Sequence, residues 1–357
     1  MPLIVHSETP FNAEPPLATL RAHFLTPQPD FYVRSHGNIP ALDPATYRLT
    51  LAGQVATPLD LSLHDLKSRF PHHTVTATMQ CAGNRRADMQ QVRPTTGDPW
   101  SAGAIGNAEW TGIRLADLLD AADADPAAAH IAFDSADEID HPEEGRFTFG
   151  ISIPAAKARA PETLLAWSVN GEDLAPHHGY PLRLVVPGYA GIRSAKWLKT
   201  ITVQSEPSPN HMQQRDYKLL PASMTSDTIG WSEGITIEEM PLNAAICEPA
   251  AYAELPAGPT RIRGYATATA RRVTRVDIST DGGRTWSQAT LTADRSSPWA
   301  WTFWETTLDL QPGDRDLVVR AWDSASQTQP ATPDETWNCK GYLSAAQHRI
   351  RVRVRVT

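Results

Sequence analysis

Cysteine is scarce in this chain, which has only three among 357 residues. Cys81, Cys247 and Cys339 lie far apart, and none belongs to a C-x-x-C pair. This spacing argues against a disulfide framework and against a structural zinc site, because both need cysteines that are grouped or paired. A cysteine that stands in a distinctive local pattern is therefore informative.

Long apolar runs and targeting signals are also missing. No stretch of 18 apolar residues is present to cross a bilayer, and residues 1–16 lack the basic region and apolar core of a secretory signal. The chain ends in Val-Arg-Val-Thr, unlike the Ser-Lys-Leu type of peroxisomal signal. These absences predict a cytoplasmic protein with no membrane partner, unless a presequence has been removed.

An excess of positive charge is absent as well. The net charge of −8 argues against a general affinity for nucleic acid or for an anionic membrane. An anionic substrate would therefore need a local positive pocket. Arg349, Arg351, Arg353 and Arg355 alternate with apolar residues. They could contact nucleic acid, but the solvated face of a strand fits the acidic composition better.

Proline, in contrast, is abundant, and its 30 residues argue against long helices. The length allows two domains with cores of their own. The proline-rich residues 1–45 are predicted to wrap the surface in extended form. Residues 204–234 have little periodicity and are predicted to be a long connection.

Apolar spacing predicts several local elements. Alternation over 74–79 predicts a strand that ends just before Cys81. Helical spacing near 113–122 predicts a short amphipathic helix. The apolar run 182–186 is bounded by Pro187 and Gly188, which is typical of a buried strand.

The pattern changes from about Pro241 onward. Alternation at Val276 and Ile278, followed by the turn sequence Asp-Gly-Gly at 281–283, predicts a β-hairpin. A half-buried strand is predicted over 350–356. Short strands with turns between them indicate a β-sandwich in this region.

The segment 79–86, Met-Gln-Cys-Ala-Gly-Asn-Arg-Arg, follows Cys81 closely with two guanidinium groups. Adjacent cations lower the pKa of a thiol and favour the thiolate, which is the form that binds metal. Thiolates suit transition metals better than magnesium or calcium. From these residues alone, a metal ligand and a buried structural cysteine are equally acceptable interpretations.

The same segment resembles the molybdenum-binding signature of the sulfite oxidase family, which includes the molybdenum domain of eukaryotic nitrate reductase. Further segments resemble the family in the same order along nearly the whole chain: 10–16, 31–40, 99–110, 177–197, 213–218 and 281–286. The resemblance is closest to the haem-free, plant-type form, because the segment Pro-Phe-Asn-Ala-Glu-Pro-Pro at 10–16 is similar to that branch.

The resemblance implies an α+β fold, with a molybdenum-cofactor domain followed by an immunoglobulin-like dimerisation domain. We place the first domain at 1–235 and the second at 236–357, and we expect a homodimer. The chain has no room for the haem or flavin domains that some relatives carry. Electrons are therefore expected to pass to oxygen or to a separate acceptor protein.

The implied cofactor is molybdenum held by the dithiolene of molybdopterin, with Cys81 as the protein ligand to the metal. A polar pterin with a phosphate needs fixed donors and cations. The matching positions are Tyr32, Val33, Arg34, Ser35, His36, Asp137, His178, Arg183, Ser194, Ala195 and Lys196, with Asp134 as the substitute for Asp137. Taken singly, His178, Arg183 and Lys196 would be ordinary surface or loop residues.

The implied reaction is the oxidation of sulfite to sulfate. Burial of this small, densely charged oxyanion requires several cations. The implied catalytic residues are Cys81, Arg34, Arg86, Trp100, Tyr217 and Lys340, although Trp100 could be only a core aromatic. Lys340 stands where sulfite oxidases usually carry arginine and nitrate reductases an uncharged residue. Ser35 stands where many members have asparagine, and Cys339 is interpreted as a packed residue.

Two alternatives remain open. The first is the reduction of nitrate or another oxyanion on the same scaffold, against which the positive charge of Lys340 argues. The second is a cofactor-free β-sandwich interaction protein. The presence of Cys81, Arg34, His178 and Lys196 argues against that second possibility.

Overall fold

The computed structural model describes residues 2–294 and 297–356. Met1 and Thr357, the outer ends of the two predicted domains, lie outside the described residues. The chain forms two sheet-rich parts that meet near residue 240. No helix in the described part of the chain has the length and apolar content needed to span a bilayer.

The first part contains fifteen described strands and five short α-helices. The strands are β1 (Ile4–Glu8), β2 (Phe11–Glu14), β3 (Val33–Arg34), β4 (Arg48–Gly53), β5 (Leu59–Ser62), β6 (His73–Gln80), β7 (Ile105–Arg114), β8 (His130–His141), β9 (Gly145–Pro154), β10 (Leu164–Val169), β11 (Glu172–Asp173), β12 (Arg183–Val185), β13 (Leu198–Gln204), β14 (Lys218–Leu219) and β15 (Ile235–Thr236). The helices are α1 (Leu17–Ala22), α2 (Leu63–Arg69), α3 (Arg86–Gln90), α4 (Leu115–Ala121) and α5 (Ala155–Ala158).

Three larger sheets organise these strands. The first has the order β1-β2-β3. The second has the order β11-β10-β7-β6, with β12 also paired to β10, and the third has the order β5-β4-β13-β8-β9. A π-helical turn at Met212–Asp216 lies in the connection 204–234, which is otherwise largely irregular, as predicted.

The local predictions around the second sheet are confirmed. Strand β6 covers the predicted 74–79 and ends immediately before Cys81. Helix α4 covers most of the predicted 113–122 and buries one apolar face against the main core. Strand β12 is buried at each of its positions, as the apolar run predicted.

The N-terminal prediction is wrong in its main feature. Residues 1–45 do not simply wrap the surface, because they contribute strands β1–β3 and several buried residues. Asn12 is 2% exposed and Glu14 is 1% exposed, and Phe31 and Val33 belong to the interior. The prolines lie between the elements, so the residues between them remain free to pair and to pack.

The second part contains two further sheets. Its strands are β16 (Asn243–Glu248), β17 (Glu254–Pro256), β18 (Gly258–Thr267), β19 (Val273–Ser279), β20 (Ser287–Gln288), β21 (Thr290–Ala293), β22 (Thr302–Leu310), β23 (Gly313–Asp323) and β24 (His348–Arg355). The sheet orders are β16-β18-β22-β21 and β17-β24-β23-β19-β20. The inward faces of both sheets share one apolar core, as expected of a β-sandwich.

Both predicted features of this part are present. Strands β19 and β20 pair antiparallel as the hairpin. Strand β24 alternates between buried and exposed residues, but it ends at Arg355 rather than at Val356, which is 80% exposed. Arg351, Arg353 and Arg355 pair with carboxylates on the solvent side, which agrees with a solvated strand face.

The two parts share a buried junction. One apolar cluster joins Leu20 and Ile105 of the first part to Tyr265 and Trp301 of the second. Within the described residues, Ile237 and Met240 pack in the first core, whereas the second core begins at Ala244. The domain boundary at 235/236 stays a prediction.

Candidate active site

A cavity lies beside the C-terminal end of β6. Its walls include all twelve of the predicted cofactor-binding residues: Tyr32, Val33, Arg34, Ser35, His36, Cys81, Asp137, His178, Arg183, Ser194, Ala195 and Lys196. Tyr217 also lines it, whereas Asp134, the substitute for Asp137, does not. The fold therefore gathers residues that are far apart along the chain, and their individual roles stay predictions.

Cys81 follows β6 directly and is 6% exposed. Its backbone N–H donates to the carbonyl oxygen of Ala104 at 2.9 Å, and the N–H of Gly83 donates to its Sγ at 3.4 Å. Burial raises the pKa of the Cys81 thiol, although the cations of Arg86 and Arg34 act in the opposite direction. The cations therefore lower this pKa as expected, but desolvation outweighs them.

The two arginines that follow Cys81 point to different places. Arg85 turns toward the second part of the chain, where its Nη1 donates to Oδ1 of Asn243 at 2.7 Å. Arg86 stays beside the thiol. Its Nε donates to the carbonyl oxygen of Lys340 at 3.0 Å and its Nη1 to that of Asp98 at 2.8 Å. Only the second of the two guanidinium groups therefore acts on Cys81.

Glycines make room for the Arg86 side chain. A Cβ at Gly83 would lie 2.5 Å from Nη2 of Arg86, and one at Gly97 would lie 2.9 Å from Nη1. A Cβ at Gly341, whose φ is +60°, would lie 2.5 Å from Cγ of Arg86. Larger residues at these three positions would displace the guanidinium.

Arg34 reaches the cavity from β3, and the N-terminal segment holds it there. Its Nη1 donates to Oδ1 of Asn12 at 3.2 Å and also to the carbonyl oxygen of Ser35. The backbone N–H of Ser35 donates to the same Oδ1 at 2.8 Å. Asn12 therefore fixes both the guanidinium and the backbone beside it.

Glu14 has a similar role for the loop after Trp100. Its carboxylate accepts the backbone N–H groups of Ser101 and Gly103 at 2.8 and 2.9 Å, and it pairs with His6 at 2.8 Å. Sequence reasoning used residues 10–16 only to choose a branch of the family and missed both side chains. Asn12 and Glu14 are polar residues within an otherwise proline-rich and apolar motif, and this contrast was the signal that could have identified them.

Lys196 and Asp137 carry opposite charges on the wall of the cavity. Lys196 Nζ donates to Oγ of Ser35 at 3.1 Å and to the carbonyl oxygen of His177 at 2.9 Å. Burial and the nearby Arg183 lower the pKa of Lys196 to about 7, and burial raises the pKa of Asp137 to about 6. Oδ1 of Asp137 is buried and has no hydrogen-bond partner.

Both terminal nitrogens of the Arg183 guanidinium donate hydrogen bonds to backbone carbonyl oxygens of the protein. Its Nη1 donates to the carbonyl oxygen of His178 at 2.8 Å and its Nη2 to that of Ser194 at 3.1 Å. Burial lowers the pKa of Arg183 to about 10. His178 donates from Nε2 to the carbonyl oxygen of Gln28 at 3.1 Å, and burial holds its pKa well below the usual value. The role of His178 in holding the cofactor stays a prediction.

Tyr217 and His36 form a buried polar pair. A hydrogen bond of 2.6 Å joins Oη of Tyr217 to Nε2 of His36. Burial raises the pKa of Tyr217 to about 12 and holds that of His36 well below its usual value. The ring of Tyr342 stacks on Tyr217 with the ring centroids 5.2 Å apart. The phenol therefore keeps its proton at neutral pH beside an uncharged imidazole.

Three predicted catalytic residues, Arg86, Trp100 and Lys340, are not among the residues that line the cavity. Trp100 is fully buried, and its ring meets the edge of His6 at 4.7 Å between centroids. Its Nε1 is buried without a partner. Nζ of Lys340 lies 3.4 Å from Oδ1 of Asp216. The roles of all three in catalysis stay predictions.

Known protein families account for both parts of the chain. Residues 36–212 match the oxidoreductase molybdopterin binding domain, and residues 235–355 match the Mo-co oxidoreductase dimerisation domain. Sulfite oxidase of Gallus gallus is 42% identical, over 97% of this chain and 77% of that protein. The chain belongs to the sulfite oxidase family.

Other members of the sulfite oxidase family agree with this assignment. Sulfite oxidase of Arabidopsis thaliana is 38% identical, over 99% of this chain and 94% of that protein. For the mitochondrial sulfite oxidase of Homo sapiens, the match covers 99% of this chain and 66% of that protein at 41% identity. The crystal structure of the sulfane dehydrogenase SoxCD from Paracoccus pantotrophus has a TM-score of 0.82 and 26% identity, over 99% of this chain and 89% of that chain. The predicted family and α+β two-domain fold are confirmed.

The cavity fits the molybdenum cofactor of this family. Its lining contains three cations, Arg34, Arg183 and Lys196, but only one carboxylate, Asp137. An excess of buried positive charge suits an anionic group such as a pterin phosphate. The orphaned Oδ1 of Asp137 offers an acceptor for the N–H groups of a pterin. Cys81 supplies the soft ligand that a transition metal prefers.

Proposed function

We propose that this protein oxidises sulfite to sulfate. The observation that carries the proposal is that Arg34 and Tyr217, a fixed cation and a protonated phenol, line the same cavity as Cys81. Such a pair suits a small oxyanion, which a guanidinium neutralises and orients and to which a phenol donates a hydrogen bond. The named sulfite oxidases among the relatives support the same reaction.

The bound molybdenum cofactor would supply the oxygen-atom transfer and accept two electrons. The chain itself would hold the metal through Cys81 and the pterin through the cavity wall. Arg34 would attract the sulfite dianion into an otherwise acidic protein, and Arg86 would add a second positive charge close to the thiol. Tyr217 would orient the anion through its phenol, whose high pKa keeps the proton available.

The test is sulfite-dependent reduction of an acceptor by molybdenum-loaded protein. Oxygen, cytochrome c and an artificial acceptor are compared, with protein from a host that cannot make the cofactor as the control. We expect sulfite turnover only in the loaded protein. Reduction of nitrate without any oxidation of sulfite would contradict the proposal and would favour the alternative on the same scaffold. The same comparison identifies whether oxygen or a separate protein receives the electrons.

A homodimer is the expected assembly, because residues 235–355 match a dimerisation domain. Sedimentation at micromolar concentration is expected to give twice the mass of the 39.1 kDa chain. The measurement covers a range of protein concentrations, so that a weak dimer is also detected. A monomer throughout this range would contradict the expectation.

Asn12→Ala is expected to weaken sulfite oxidation by loosening Arg34. The loss of a hydrogen bond to a charged group costs about 1.5–3 kcal/mol, and the part that acts on the transition state is expected to lower kcat/KM by about fivefold or more. Gln54→Ala, at an exposed turn, is the control. Equal values of kcat/KM for the two variants would exclude a positioning role for Asn12.

Lys340 tests the choice between sulfite and other oxyanions. A lysine ammonium is a hydrated point charge that cannot grip two oxygens in a fixed fork. Lys340→Arg is therefore expected to keep or lower the KM for sulfite. Lys340→Met is expected to raise that KM severalfold and to relax discrimination against nitrate. If the methionine variant has the wild-type KM for sulfite, Lys340 lies outside the substrate pocket.

A further inference from the structure

A group of side chains with metal-ligating donor atoms, His141, His211 and Asp216, lies outside the cavity. Each offers one ligand atom, and these atoms all lie within 4.8 Å of one another. His141 is the last residue of β8, whereas His211 and Asp216 stand at the two ends of the π-helical turn. None of the three lines the cofactor cavity. The fold therefore brings together donors from two separate segments.

His211 gives the second observation that points to a ligand. Its side chain is only 10% exposed, and both of its ring nitrogens are buried without a hydrogen-bond partner. The nearest carboxylate oxygens, of Glu144 and Asp216, lie 3.7 Å from Nδ1 and 3.6 Å from Nε2. These distances exceed those of a normal hydrogen bond. A buried imidazole with neither nitrogen satisfied costs free energy unless a ligand occupies the position.

We propose that His141, His211 and Asp216 bind one divalent transition metal ion, for which zinc is the best match. Two imidazoles and a carboxylate form a common donor set for zinc, and three protein ligands leave one position for water. Nδ1 of His141 accepts the backbone N–H groups of Glu143 and Glu144 at 3.3 Å each. A metal bond at Nε2 would shift the ring proton to Nδ1 and would cost only these two long contacts.

The surrounding charges affect how tightly this site would bind a divalent ion. Asp216 directs Oδ2 toward His211 and Oδ1 toward Nζ of Lys340, so that one carboxylate serves both the ion and the lysine. Glu144 lies on the other side of His211 but also pairs with Arg215. Two nearby cations therefore oppose a divalent ion, and we expect weaker binding than at a structural zinc site with four protein ligands.

The bound ion would tie two parts of the chain together. It would join the end of β8 to the π-helical turn that immediately precedes Tyr217. Anything that binds the folded chain and not the unfolded chain raises the melting temperature. Zinc is therefore expected to raise the Tm of the wild-type protein.

The experiment is a zinc titration of chelator-treated, molybdenum-loaded protein in competition with a chromophoric chelator. We expect one zinc per chain, with affinity at least about tenfold weaker in His141→Gln and in His211→Gln. His64→Gln, at an exposed position of α2, is expected to match the wild type. The rise in Tm with zinc is expected in the wild type and in His64→Gln only.

The absence of zinc binding to the wild type would overturn the proposal. So would equal zinc affinity in His64→Gln and in His141→Gln, or a site that survives the loss of both histidines. His211 is largely buried, and its variant could lose the fold. Circular dichroism checks each variant, and the partly exposed His141 then carries the test alone.

Discussion

Cys81→Ser is expected to lose nearly all sulfite turnover while it keeps its fold. Serine is close to cysteine in size, and the backbone bond from residue 81 to the carbonyl oxygen of Ala104 does not involve the side chain. A hydroxyl is a harder and much weaker acid than a thiol, so it is a poor ligand for a transition metal. The pterin would still be held by the rest of the cavity wall and is expected to remain bound.

The measurements are molybdenum and pterin content, circular dichroism and sulfite turnover. Cys247→Ser is the matched control, because it places the same hydroxyl at another buried cysteine outside the cavity. Cys247→Ser reports the cost of the substitution to the fold alone. Full activity in Cys81→Ser, or wild-type protein without molybdenum from a host that makes the cofactor, would reject the ligand role of Cys81.

Arg34→Gln is expected to lower kcat/KM for sulfite by about 10- to 200-fold, because the loss of a charged donor from a desolvated site costs about 1.5–3 kcal/mol. Glutamine keeps much of the length and can still donate to Asn12, so that the lost charge is the main change. Arg351→Gln is the control. Arg351 carries the same charge on the solvent face of β24, where it pairs with Asp316 at 2.8 Å.

Arg86→Gln tests independently how much the loss of a positive charge near Cys81 lowers sulfite turnover. Arg86 does not line the cavity, yet it acts electrostatically on Cys81. We expect its loss to lower kcat/KM as well, with a smaller effect on the KM for sulfite than that of Arg34→Gln. If Arg34→Gln and Arg351→Gln reduce sulfite turnover equally, the assignment of the anion pocket is wrong.

Local sequence patterns were sufficient for β6, which leads directly to Cys81, and for α4. Alternation over 74–79 placed β6 and therefore the strand end at Cys81, and helical spacing placed α4. These predictions succeed because burial on one face depends on residues that are neighbours in sequence. The N-terminal strands were missed because the prolines between them dominate the composition, whereas pairing depends on partners elsewhere in the chain.

For the candidate site, too, the sequence predicted which residues take part but not how they contact one another. Several motifs in one order predicted twelve residues that line one cavity, although nothing in their local spacing shows that the charges of Asp137 and Lys196 interact. The sequence also could not separate Arg85 from Arg86, since adjacent side chains diverge only when the fold offers each a different partner.

By itself, the sequence determined the family, the two-part fold and the identity of the thiol and cations that suit a molybdenum cofactor. Only the tertiary structure decided that Asn12 holds Arg34, that burial outweighs the cations at Cys81, and that His141 meets His211. The reason is physical. Residue types and their spacing are properties of the linear chain. Desolvation, charge proximity and hydrogen-bond geometry depend instead on distances between segments that only folding brings together.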